Sequence, residues 1–155
     1  MDNNEPWSFS KSPKARSWFD PCVSSNSFIL AVSVFLLYRG NCELSLLAFL
    51  LFCASMAYHR SAETWQLALH IDITLGRICC LYYVVSTSIH GEWQGNDLIL
   101  KILGYIAFAI IAAMTTGPFA LSANSIAYDR FHPLVHILGV VPPAVGGLIC
   151  RPFIM

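Results

Sequence analysis

Five apolar stretches, each close to the length a helix needs to cross a bilayer, are joined by connections too short to hold a domain. A spanning helix takes about 20 mostly apolar residues, with a range of about 17 to 25. Against that ruler the chain divides into spans at residues 22–38, 44–59, 65–88, 98–121 and 132–149. The first is the least regular, since only 28–38 is cleanly apolar. The expected fold is all-α, a polytopic transmembrane helix bundle of about five spans. Connections such as RGNCE, RSAE and HGEWQGND are short, which makes consecutive spans antiparallel neighbours. Composition agrees: 12% of the residues are charged and 56% apolar, with a mean hydropathy of +0.60, against roughly 25% charged in an ordinary soluble domain. The chain reads as an integral, multi-pass membrane protein whose solvent is the lipid bilayer.

The first 21 residues, with Lys11, Lys14, Arg16 and prolines at 6, 13 and 21, contain no apolar run long enough for a signal peptide. They form a polar amino-terminal tail over 1–21, followed by a single transmembrane helical domain over 22–155. No internal repeat or low-complexity tract divides that domain. Nine basic and nine acidic residues cancel, without any block of like charge, so a nucleic acid partner is not expected. Six cysteines, at 22, 42, 53, 79, 80 and 150, show no CxxC spacing. Cys53, Cys79, Cys80 and Cys150 fall in apolar segments and read as small buried residues, not as a metal cluster or a disulfide framework. With the amino terminus in the cytoplasm, Lys11, Lys14, Arg16, Arg60 and Arg130 lie inside and Arg39, Lys101 and Arg151 outside, with Arg77 within the third span. The excess on the inner side favours that orientation.

Parity of the spans places the loop around Arg60 and the loop around Asp129 and Arg130 on the same membrane face. Polar groups then converge there. Ser55 and His59 close the second span, Asp72 lies about two turns into the third, and His132 and His136 open the fifth in DRFHPLVH. Both i, i+4 pairs project from one side of their helices. Three histidines with an acid suit a zinc site that keeps an open position, in which three protein ligands leave the fourth place to a water whose pKa falls to about 7. His59, His132 and His136 would supply the nitrogens. Asp72 would orient or deprotonate the water, which is the nucleophile, and Ser55 would bond the acid or the developing oxyanion. An ionisable residue inside a membrane costs about 2.5 to 3.5 kcal/mol on insertion scales, which marks Asp72 as functional by default.

Plainer readings exist for each residue. A histidine near a span end can be an interfacial side chain, Asp72 can pair with Arg77 or His70 as a packing element, and Ser55 can bond its own helix backbone.

The order S-M-A-Y-H (Ser55 to His59), then L-H-I-D-I-T (Asp72), then H-P-L-V-H (His132 to His136) resembles the signature of the CREST superfamily. That group includes the alkaline ceramidases, the progestin and adipoQ receptors and their haemolysin III relatives. FCASMAYHR is similar to the family's aromatic-His ending of its second helix, and HILGVVPPAVG to its final helix. The resemblance implies zinc on His59, His132 and His136, Ser55 and Asp72 beside the metal-bound water, and hydrolysis of a lipid amide or ester, as in ceramide. It covers the motifs and their spans. Relatives usually have seven spans, whereas 59 residues between Asp72 and His132 leave room for two fewer. Removing a pair of helices preserves the parity that brings the motifs together.

Pro142 and Pro143, with Gly139, Gly146 and Gly147, make the fifth span irregular. His70 and His90 offer a haem-binding alternative, and a non-catalytic structural or receptor-like subunit of the same fold is the principal rival to an enzyme. No phosphate loop, GxSxG or HExxH is present. The expected partners are a membrane lipid as substrate and a second copy or another membrane protein, packed through Gly104, Ala107, Ala112 and Gly117 of the fourth span.

Overall fold

The computed structural model describes residues 16–61, 63–89, 95–115 and 126–149. All secondary structure among them is helical: α1 (Pro21–Ser24), α2 (Asn26–Tyr38), α3 (Cys42–Arg60), α4 (Gln66–Ile89), α5 (Gly95–Thr115), α6 (Ile126–Gly139) and α7 (Val141–Ile149). Taken as α1 with α2 and α6 with α7, they make five segments long and apolar enough to cross a membrane: Pro21–Tyr38, Cys42–Arg60, Leu67–Ile89, Gly95–Thr115 and Tyr128–Ile149. The protein is an all-α bundle, as expected. The tail up to residue 15, Lys11 and Lys14 with it, lies outside the described residues, as do His90, Gly117, Cys150, Arg151 and the expected end of the fourth span.

Local chemistry sets the boundaries. Asp20 caps α1 by accepting a bond from the Cys22 amide, and Pro21 takes the first helical position, where its missing N–H costs nothing. The α2 helix ends in a Schellman arrangement, with Asn41 N–H on Leu36 O and Gly40 N–H on Leu37 O, while Gly40 takes the left-handed backbone (φ 80°). The turn to α3 is consequently tight. α2 and α3 are then tied by a reciprocal pair of buried bonds, Ser33 Oγ to Ser45 O at 2.9 Å and Ser45 Oγ to Ser33 O at 2.8 Å. Around that clamp Leu36, Leu44, Ala48 and Cys79 form the apolar core.

Packing departs from a simple meander. α2 lies on α3 and α3 on α4, but α4 and α5 touch little; both pack instead on α7. The last span therefore sits centrally, with α6 against α1, α2 and α5, and α7 against α2, α4 and α5. Small buried residues, Pro142, Pro143, Val145, Gly146 and Gly147, let α7 occupy that place. Besides Pro133 within α6, the last span is broken at Val140, where Pro142 and Pro143 withhold two amides. The segment beyond the break is a helix, because both prolines fall in its first turn, and Ala144 N–H bonds Val140 O. The span also begins earlier than position 132, so His132 and His136 stand inside α6.

Where α4 and α5 do meet, Tyr83 donates to the carbonyl of Lys101 at 3.0 Å and covers Gly104 so closely that a β-carbon there would overlap the ring. Gly104 and Ala107 are buried within the bundle, so their small size serves packing inside this chain and not the docking surface expected of them. Cys22 and Cys79 are buried, whereas Cys53 faces outward, contrary to its expected burial; among the described residues all cysteines are free.

Candidate metal centre

The last turn of α3 buries Ser55 and His59 completely, one turn apart on the face toward α6. From α6, His132 and His136 project back toward them. One ring nitrogen from each of His59, His132 and His136 can be chosen so that all lie within 4.8 Å of one another. The ring centroids are 5.0 Å apart for His59 and His132, 5.2 Å for His59 and His136, and 4.6 Å for His132 and His136. The Nε2 atoms of His59 and His132 are 3.2 Å apart. Two nitrogens bound tetrahedrally to zinc at about 2.0 to 2.1 Å would stand about 3.3 Å apart. The observed separation matches that edge.

The outer nitrogens are held as a metal site requires. His59 Nδ1 lies 3.0 Å from Glu63 Oε1. A carboxylate only accepts, so Nδ1 carries the proton and Nε2 offers its lone pair to the centre of the cluster. His136 Nδ1 is 2.8 Å from Ser25 Oγ, which holds the ring with Nε2 directed to the interior. Tyr128 stacks on His132 at 4.1 Å with planes 19° apart, fixing the third ring. The three side chains fit a three-histidine metal site in donor type and spacing.

Ser55 and Asp72 border this group without joining it. Ser55 Oγ is 3.3 Å from His136 Nε2, and its hydroxyl also reaches the carboxyl group of Asp72 on α4. Asp72 thus stands behind Ser55, one hydrogen bond from the cluster, and among the described residues no ion pair joins it to Arg77 or His70. His70 is exposed on α4, and His90, the other half of the haem alternative, lies outside the described residues.

An ionic closure covers the outer side. Arg16 donates from Nε to Glu63 Oε1 at 2.8 Å, from Nη1 to both oxygens of Asp20 at 3.0 and 3.1 Å, and from Nη2 to Asp129 Oδ1 at 2.5 Å. Burial alone would lower the Arg16 pKa, but the bond to Asp129 and the nearby carboxylates hold it above its ordinary value. Arg60 bonds the Arg16 carbonyl and lies over the Trp18 ring at 4.5 Å. Pro133 contributes from within α6: it lacks the amide that would bond Asp129 O, and the Cys22 thiol approaches that carbonyl at 3.9 Å instead.

The sequence reading brought together His59, His132, His136, Ser55 and Asp72, and the structure does too. It missed Ser25, Glu63, Arg16, Asp129 and Tyr128. Glu63 had a signal, since it follows His59 by four residues in HRSAE. Ser25 and Arg16 had none, because their partners lie 111 and 113 positions away. Comparison with protein-family models, with curated proteins and with solved structures gave no match. The centre therefore stands on its own geometry.

Proposed function

We propose that the protein is a zinc-dependent, membrane-embedded hydrolase of a lipid amide or ester, of the CREST type. The observation that carries the reading is the convergence of three histidine nitrogens with two outer nitrogens already committed, to Glu63 and Ser25. Such outer partners fix ring orientation and raise ligand basicity. Neutral imidazoles favour a borderline-soft ion such as zinc over calcium or magnesium, which take oxygen.

A zinc ion bound there would supply a Lewis acid and a water activated near neutral pH. The chain's own groups supply the rest. Asp72 takes the proton of the attacking water and later returns it to the leaving amine or alcohol. Once Asp72 has taken that proton it no longer needs the bond from Ser55, whose one hydroxyl proton then turns to the carbonyl oxygen as charge develops on it. Glu63 and Arg16 keep the outer side closed. A lipidic substrate is supported by an apolar groove of about 390 Å³ along the outer side of α3 and α4, lined by Leu50, Ala54, Ala57, Ala68, Ile71 and Leu75. Ala54 and Ile71 directly adjoin Ser55 and Asp72 in sequence.

Elemental analysis of protein purified without chelators tests the reading. About one zinc per chain is expected, lost in His132→Ala and His136→Ala, together with hydrolysis of a panel of fluorescent lipid amides and esters. Zinc content indifferent to both substitutions would refute the metal site. Zinc bound without hydrolysis of any lipid in the panel would leave the non-catalytic subunit of the same fold.

A further inference from the structure

The outer face of α4 carries a polar stripe that the zinc reading does not use. His70, Thr74 and Arg77 follow one another at i, i+4 and i+7, and all three are exposed, so they lie in one row along the helix. Ile73, Ile78 and Leu81 flank the row and are exposed as well. Arg77 is eleven residues from Gln66 and twelve from Ile89, which leaves about 17 Å of helix on either side. In a hydrocarbon core of about 30 Å its guanidinium lies too deep to reach the headgroups by extending along the helix. A permanently charged group at that depth, facing lipid, is strongly disfavoured without a partner. Among the described residues no carboxylate pairs with it.

Among the described residues none provides the counter-charge. The chain's acidic residues are Asp2, Glu5, Asp20, Glu43, Glu63, Asp72, Glu92, Asp97 and Asp129. All but Asp72 lie in the tail, in connections or in the first turns of spans, and Asp72 is turned to Ser55. A second copy fares no better. Because Arg77 sits at the midpoint of α4, a two-fold pairing of α4 with itself, parallel or antiparallel, sets arginine against arginine.

We propose that the His70, Thr74 and Arg77 stripe docks a transmembrane helix of a different membrane protein, one that carries an aspartate or glutamate near its middle. The guanidinium and the carboxylate form a bidentate, charge-assisted pair that desolvates both at once. His70 and Thr74 supply further hydrogen bonds across the interface, and the flanking isoleucines and Leu81 supply the apolar contact. The inference is independent of the zinc reading, since the stripe points away from Ser55 and Asp72.

Two measurements on the full chain decide it. In native membranes a photo-crosslinking residue in place of Leu81, followed by sequencing of the joined peptide, should identify a membrane span of another protein with a central Asp or Glu. The yield should fall at least tenfold in Arg77→Leu and persist in Arg77→Lys. In phosphatidylcholine vesicles the purified chain should associate, by energy transfer, with a synthetic leucine-alanine span bearing one central Asp, at least tenfold more strongly than with the same peptide bearing Leu. The second arm keeps Arg77 intact, so it does not depend on how Arg77→Leu folds. Cross-links only to lipid, to another copy of this chain or to spans without a carboxylate would overturn the proposal, as would equal association of both peptides.

Discussion

Glu63 bears on the centre through Oε1, which accepts from His59 Nδ1 and from Arg16 Nε. Its backbone is in the left-handed region at φ 61°, a conformation that costs a residue with a β-carbon about 1 kcal/mol or more and persists where surrounding contacts over-determine it. The two bonds to its side chain, with its amide on Tyr58 O, do that here. Loss of the carboxylate should lower zinc affinity about 10- to 100-fold, the usual effect of removing an outer-shell partner. Competitive chelation of Glu63→Ala measures this. Glu63→Gly should lose zinc affinity equally but unfold at a higher temperature than Glu63→Ala, because glycine removes the backbone strain. On the proposed function Asp72 should behave in the opposite way: Asp72→Asn should keep zinc, while lipid hydrolysis should fall about 10² to 10⁴-fold, the effect of losing a general base. Because the Arg16 pKa is raised, that group stays charged at every pH below its ordinary value, and its contribution is lost only in strong alkali.

At the scale of elements, α4 and α5 depend on one close approach. Tyr83 lies over Gly104, and its hydroxyl is spent on the Lys101 carbonyl. Gly104→Val should force the ring out and destabilise the bundle by about 1 to 3 kcal/mol, the usual range for overpacking. A lower unfolding temperature in detergent, with zinc stoichiometry unchanged, is the expected result, since the atoms crowding a β-carbon at Gly104 belong to Tyr83, which is no part of the histidine group. The elements themselves were legible in the sequence. Lipid imposes a length and a composition on every span, and the five apolar runs show both. The histidine cluster was legible too, because i, i+4 pairs and span parity are local facts. The side of a helix that turns inward was not. In a membrane span the face toward lipid and the face toward the bundle are both apolar, so Gly104 of α5 looked available to a partner and Arg77 of α4 looked internal. The second ring of contacts around the histidines was also hidden, because Ser25 and Arg16 reach α6 across nearly the whole chain.

For the whole molecule, the arrangement requires that residue 16, the α3 to α4 connection and the start of α6 share one membrane face, since Arg16 binds Glu63 and Asp129 directly. The α2 to α3 turn must then lie on the opposite face, a full span of α3 away. Cys42, exposed at the start of α3, is a native reporter for that second face, and Ser61, just beyond the end of α3, can report on the first. In a background without other cysteines, an impermeant maleimide added to sealed, oriented vesicles should label Cys42 from one side only and Ser61→Cys from the other only. A cysteine introduced at Trp18, exposed beside Arg60, should follow Ser61→Cys. Labelling of Cys42 and Ser61→Cys from the same side would mean that α3 does not cross, and the parity that assembles His59 with His132 and His136 would fail with it. Agreement between Trp18→Cys and Ser61→Cys, with Cys42 opposed, would instead place the ionic closure and the histidine group together at one surface of the bilayer, within reach of water.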